Sequence, residues 1–198
     1  VSKLHGTEYK PIPDRIEAGT YLIGAAITGG RVEIKGIFPE IIYPLLHKLC
    51  NNTCKIRVKN DIINLYSDRV RNHFNFSTDV YPGFPTDLQA QTMSLLAVSK
   101  GTSVVTENVF EMRFRHVSEL KKMGAQIDVI DKTAIINGVK RFHGSTVTAQ
   151  DLRGGAALVL AALNAEGKSV IEDVRHIERG YLNMDLKLNA LGADIKKK

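Results

Sequence analysis

At 198 residues, with 43% hydrophobic and 24% charged residues, the chain has ordinary globular composition, which excludes the disordered and fibrous classes. Aromatic residues make up only 7% and tryptophan is absent, so the core must be built from Ile, Leu, Val and Ala, which suits layered α/β packing. The net charge of +6 favours an anionic partner, and because no nucleic-acid motif accompanies the scattered basic residues, nucleic acid is not the expected one.

The chain opens Val1-Ser2-Lys3-Leu4-His5, without the apolar stretch of a signal peptide, and reads like the tail of a linker in a longer protein. The longest apolar run, 156–163, falls short of the roughly 18 residues that a membrane helix needs, so no membrane partner and a cytoplasmic location are expected. Asp14 precedes an apolar run through Tyr21-Leu22-Ile23-Gly24-Ala25-Ala26 that stops at Gly29-Gly30, which predicts an N-cap, a buried helix and a glycine stop. A β-run, Arg31-Val32-Glu33-Ile34, follows, then an amphipathic helix around Pro44-Leu45-Leu46-His47-Lys48-Leu49 and a closing strand at 55–58. His47, Cys50 and Cys54 are spaced to share one helical face, but a structural zinc site wants a fourth ligand, so reduced thiols are the preferred reading and no metal is expected.

The same layout returns twice. Tyr81-Pro82-Gly83-Phe84-Pro85-Thr86 forms a stiff turn before Asp87, a second predicted N-cap. The helix Ser94-Leu95-Leu96-Ala97-Val98, a stop at Gly101 and a β-run at 103–105 follow. Then come the helix Val117-Ser118-Glu119-Leu120-Lys121-Lys122-Met123, the pair Gly124-Ala125, and strands at Gln126-Ile127 and 134–136. Asp151 caps a third helix through Leu158-Val159-Leu160-Ala161-Ala162-Leu163, with a stop at Gly167, a strand at Val170-Ile171, and the helix at 184–191 leading through Gly192-Ala193 to a strand at Asp194-Ile195. The lysines Lys196, Lys197 and Lys198 read as a solvated tail. Repetition at about 65 to 75 residues divides the chain into units at about 10–75, 76–138 and 139–198, expected to fold as one pseudo-threefold α/β domain with the apolar helices inward.

Helix N-termini expose unpaired N–H groups and a positive dipole end, so the caps are the expected place for an anion. Asp151-Leu152-Arg153-Gly154-Gly155 adds a guanidinium beside one such terminus, although Asp151 simply capping and Arg153 simply pairing with it is the competing structural reading. Asp87, held by its turn, suits a positioned base. Arg113, Arg153 and Arg179 are candidates for one shared dianion, and the apolar pair Val109-Phe110 sits beside Arg113. His116, His143 and His176 have no Ser/Asp pattern nearby, and neither a Walker loop nor G-x-G-x-x-G is present.

The motifs Pro13-Asp14-Arg15-Ile16-Glu17-Ala18-Gly19-Thr20, Gly83-Phe84-Pro85-Thr86-Asp87-Leu88-Gln89-Ala90-Gln91, Thr106-Glu107-Asn108-Val109-Phe110-Glu111, Asp151-Leu152-Arg153 and His176-Ile177-Glu178-Arg179-Gly180-Tyr181 occur in the order found in one family. Over its whole length the chain resembles the C-terminal half of the UDP-N-acetylglucosamine 1-carboxyvinyltransferases, enolpyruvyl transferases of peptidoglycan synthesis. The resemblance implies an inside-out α/β barrel domain of βαβαββ units, facing a second, N-terminal domain across the substrate cleft. It implies transfer of enolpyruvyl from phosphoenolpyruvate to the 3'-hydroxyl of UDP-N-acetylglucosamine, through a tetrahedral ketal and without metal or organic cofactor.

By the same resemblance Asp87 is the base at the sugar hydroxyl and a substrate ligand, and Asp151 shares its proton handling. Val109, through its backbone, and Phe110 line the UDP-sugar site. Arg153 and Arg179, with Arg113 as a further member, hold the anionic groups of phosphoenolpyruvate. The family's Lys-Asn pair and reactive-cysteine loop have no counterpart here, and Cys50 and Cys54 fall outside that motif, so the isolated chain is expected to be inactive. Two rivals stand beside this reading: half of the synthase that makes 5-enolpyruvylshikimate 3-phosphate, which the Thr86–Gln91 and Arg179-Gly180-Tyr181 stretches fit less well, and a non-catalytic binding module.

Overall fold

The computed structural model describes residues 3–68 and 71–197; Val1 and Ser2 of the opening and Lys198 of the basic tail lie outside the described residues. Asp14 accepts the backbone N–H groups of Ile16 and Glu17 at 2.7 and 3.0 Å and so starts α1 (Arg15–Thr28). Gly29 ends the helix in the left-handed conformation at φ 72°, where a side chain would be strained. β1 (Arg31–Lys35), α2 (Tyr43–Asn52), β2 (Lys55–Lys59) and β3 (Ile62–Tyr66) follow, and β3 lies between β1 and β2, antiparallel to both.

The next stretch supplies β4 (Phe76–Ser77), α3 (Gln89–Leu96), β5 (Thr102–Thr106), α4 (His116–Lys122), β6 (Gln126–Ile130) and β7 (Thr133–Asn137). Its sheet runs β4-β5-β7-β6, parallel only between β4 and β5. The last stretch supplies β8 (Thr146–Thr148), α5 (Leu152–Asn164), β9 (Val170–Glu172), α6 (Arg175–Glu178) and α7 (Met184–Ala190), with β8 and β9 paired in parallel.

Helices α1, α3 and α5 pack on one another at the centre and the sheets lie outside them, which is the inside-out α/β arrangement expected from the sequence. Every residue of α3 is buried, including Gln89, Gln91, Thr92 and Ser94. Thr92 Oγ1 donates to the Leu88 carbonyl and Ser94 Oγ to the Ala157 carbonyl of α5, at 2.7 and 2.9 Å, so these hydroxyls enter the core with their hydrogen bonds made. Leu45, Leu46 and Leu49 form the buried face of α2, each contributing about 1.5–3 kcal/mol by leaving water.

Several expectations are corrected. Asp87 is not an N-cap: a 3-10 turn over Thr86–Leu88 leads directly into α3, so Asp87 lies inside the helical run and its carboxylate is free for other partners. Gly101 and Gly167 keep positive φ but stand beyond the helix ends at Ala97 and Ala165, in the turns entering β5 and β9. No strand forms at Asp194-Ile195; the Asn189 side chain instead exchanges two 2.8 Å hydrogen bonds with the Ile195 backbone. The strands β3, β4 and β8 were not anticipated. Cys54 follows the end of α2 and is buried in the core, so it does not share a helical face with His47 and the exposed Cys50. Among the described residues no helix is long and apolar enough to cross a membrane.

Candidate functional site

Three chain segments bring their charges to one point. Asp87 sits on the turn into α3, Arg113 on the turn before α4, and Arg153 in the first turn of α5. Arg113 Nη2 donates to Asp87 Oδ1 at 2.6 Å and Arg153 Nη2 to Asp87 Oδ2 at 2.8 Å, so each carboxylate oxygen holds one guanidinium. The Asp87 side chain is still 36% exposed, which leaves the pair of arginines reachable by a ligand. Burial by itself would raise the Asp87 carboxyl; the Arg153 and Arg113 guanidiniums outweigh it and hold the group below the ordinary aspartate range.

Each arginine is positioned from behind. Arg113 Nη1 donates to Thr86 Oγ1 at 2.8 Å, and the guanidinium carbon lies 4.7 Å from the centre of the Phe110 ring. Arg153 Nη1 reaches the hydroxyl of Tyr181 at 3.4 Å. That hydroxyl lies 2.9 Å from Thr20 Oγ1 of α1 and accepts from Gln91 Nε2 of α3 at 3.1 Å, so one buried phenol joins the three inner helices beneath Arg153. Gln91 Nε2 also donates to the Asp87 carbonyl at 3.0 Å.

Asp151 caps α5 through the Gly154 N–H at 2.7 Å, and Arg153 pairs with Asp87 rather than with Asp151, contrary to the competing structural reading. His116 packs behind Gly154, buried, with its Nε2 unpartnered among the described residues. Burial, opposed by Asp151 and assisted by Arg113, lowers its pKa to about 4, so it is neutral at pH 7. Val109 and Phe110 are exposed, and their backbone N–H groups both donate to Glu107 Oε1, at 2.9 and 3.0 Å. Arg179 is exposed at the end of α6, where its backbone N–H donates to the Ile177 carbonyl, and its side chain forms no hydrogen bond or ion pair among the described residues, so the structure gathers Asp87, Arg113 and Arg153 without it.

Sequence reasoning missed Glu107, Thr86, Tyr181, Gln91 and Thr20 as organisers of the site. All five lie inside the family's motifs, but nothing in their spacing indicates burial or partner. A cleft of about 810 Å³, lined among others by Tyr43, His47, Lys48, Phe76, Phe84 and Val104, includes none of Asp87, Arg113 and Arg153 and is lined by neither a carboxylate nor an arginine. No group of three His, Cys, Asp or Glu side chains among the described residues is placed to hold a metal ion.

The family model for EPSP synthase (3-phosphoshikimate 1-carboxyvinyltransferase) matches residues 1–188. UDP-N-acetylglucosamine 1-carboxyvinyltransferase 1 of Caldanaerobacter subterraneus subsp. tengcongensis is 48% identical over 200 residues, covering 100% of this chain and 48% of that protein. UDP-N-acetylglucosamine 1-carboxyvinyltransferase of Endomicrobium trichonymphae is 50% identical over 99% of this chain and 47% of its own length. The chain thus spans about half the length of the curated relatives it matches. Among solved structures, the enolpyruvyl transferase NikO from Streptomyces tendae superposes with a TM-score of 0.82 at 28% identity, over 93% of this chain and 44% of that one. EPSP synthase from Acinetobacter baumannii, at 21% identity and a TM-score of 0.70 over 96% of this chain and 45% of its own, shares the fold.

Proposed function

The chain belongs to the EPSP synthase (3-phosphoshikimate 1-carboxyvinyltransferase) family, and on that premise we propose that it is one half of a UDP-N-acetylglucosamine 1-carboxyvinyltransferase. The observation that carries the reading is a partly exposed carboxylate clamped by two guanidiniums, on a chain 45–50% identical throughout to enzymes of that name. We read the chain as one pseudo-threefold domain whose substrates, UDP-N-acetylglucosamine and phosphoenolpyruvate, lie between it and a complementary domain, in a cytoplasmic step of peptidoglycan precursor synthesis.

In this reading Asp87 takes the proton of the sugar 3'-hydroxyl as its oxygen bonds to C2 of phosphoenolpyruvate and a proton adds to C3. The resulting ketal loses a proton from C3 and breaks its C2–O bond to phosphate, giving the enolpyruvyl ether and inorganic phosphate. Arg113, Arg153 and Arg179 take the phosphate and carboxylate, where preorganised cations stabilise the moving charge. With both guanidiniums on its oxygens Asp87 is a weak base. An anion that draws Arg113 and Arg153 away strengthens it, coupling arrival of phosphoenolpyruvate to activation of the hydroxyl. Asp151 shares proton handling, and Val109 and Phe110 line the sugar-nucleotide side; since the Val109 N–H is spent on Glu107, its carbonyl is the group left for the ligand.

The test is phosphate release from phosphoenolpyruvate and UDP-N-acetylglucosamine when the chain is combined with the N-terminal half of a curated relative, the chain alone being silent. Turnover with shikimate 3-phosphate instead would favour the synthase reading, and persistent silence with both acceptors would favour a binding module.

A further inference from the structure

Glu107 follows β5 and is 2% exposed, yet among the described residues no cation pairs with it. Its charge is met by four neutral donors. Oε1 accepts from Thr78 Oγ1 at 2.8 Å and from the N–H groups of Val109 and Phe110, while Oε2 accepts from Thr86 Oγ1 at 2.9 Å. A buried carboxylate so enclosed has no room for a substrate, and leaving it unpartnered would be costly, so its hydrogen bonds define what it does.

An ionised carboxylate can only accept, whereas a threonine hydroxyl has one hydrogen to give. Glu107 therefore takes the Thr86 hydrogen and turns the Thr86 lone pairs toward Arg113 Nη1, 2.8 Å away. Arg113 then spends its other nitrogen on Asp87, so a chain of fixed sense runs from Asp87 through Arg113 and Thr86 to Glu107. The same carboxylate pins the Phe110 backbone, and the Phe110 ring faces the Arg113 guanidinium. Glu107 thus holds Arg113 both along its hydrogen-bonding edge and across its face. From these contacts we infer that Glu107 is a positioning residue for the reaction proposed above, setting the donor and acceptor sense at Thr86 and the seat of Phe110, and through them the hold of Arg113 on Asp87.

Glu107→Gln keeps the shape and reverses the sense. Its amide oxygen serves the three donors at Oε1, its nitrogen donates to Thr86, and the Thr86 hydrogen is left facing Arg113. Thr86→Val, a second and independent variant, removes the relay while Glu107 keeps Thr78 and both backbone donors. Carbon-detected NMR of Asp87 in the chain reads the result without any turnover. The Asp87 titration midpoint is expected to move upward by roughly half to one pH unit in each variant as Arg113 loosens, with little further shift in the double variant.

In the complemented enzyme kcat/KM is expected to fall roughly ten- to hundred-fold in each. An Asp87 midpoint unmoved in folded Thr86→Val overturns the inference even if Glu107→Gln does not fold. Because the inference rests on the functional reading only for its role in catalysis, a moved Asp87 midpoint in an enzyme that never turns over would instead condemn that reading.

Discussion

Arg153 and Asp87, 66 residues apart in the chain, meet through a 2.8 Å hydrogen bond that ties the first turn of α5 to the turn entering α3. The residue that sequence reading makes a helix cap is in fact the anion between two cations. Its chemistry and its contribution to stability follow from that pairing.

Asp87→Asn removes the base and leaves two guanidiniums facing an amide. Phosphate release by the complemented enzyme is expected to fall by roughly 100- to 10,000-fold. The same variant reports on stability. The folded-state pKa of Asp87 is depressed, so its contribution is complete above the unfolded value of about 4 and is lost as pH falls through the lower folded value. Urea denaturation should show wild type more stable than Asp87→Asn at pH 7, with the gap closing below about pH 4. A gap that widens toward acid would contradict the ion-pair account.

His116 gives a second diagnostic of the same sign in a higher pH window. Its pKa is lowered to about 4 by burial, with Asp151 opposing and Arg113 assisting, so between that value and the unfolded value of about 6.5 only the unfolded chain takes up a proton there. The His116 contribution to stability should therefore drop as pH falls from about 6.5 toward 4, and His116→Asn should flatten that part of the profile. An imidazole NMR titration of the folded chain with its midpoint near 6.5 would refute the buried, neutral assignment.

Tyr181→Phe deletes the hydroxyl shared by Thr20, Gln91 and Arg153. Thr20 keeps its bond to the Ile16 carbonyl and Gln91 its bond to the Asp87 carbonyl, so the cost should be modest, about 1 kcal/mol, or a Tm lower by about 2–4 °C. Turnover should suffer more than stability, because Arg153 loses its support on the side away from Asp87. Calorimetry and phosphate release on the same preparation separate the two effects.

Local chemistry made much of the fold legible. Asp14 and Asp151 each find backbone N–H groups within three residues, so cap and helix could be read together. The apolar periods of α1, α2 and α5 are likewise local. β4 and β8, by contrast, are two and three residues long and exist only because β5 and β9 lie alongside them. α3 carries Gln, Thr and Ser where a core helix would ordinarily show aliphatics, and Gln91 Nε2 and Ser94 Oγ find partners on α1 and α5 that no local pattern announces.

The sequence by itself determined which residues carry charge, where the chain repeats and which family's motifs it bears, since these depend on residue identity and order. Only the tertiary structure decided that Asp87 pairs with Arg113 and Arg153 instead of capping a helix, that Arg179 stands apart, and that Glu107 and Tyr181 lie buried behind the arginines. Those outcomes depend on hydrogen-bond direction and on distances between segments far apart along the chain, which no local pattern encodes.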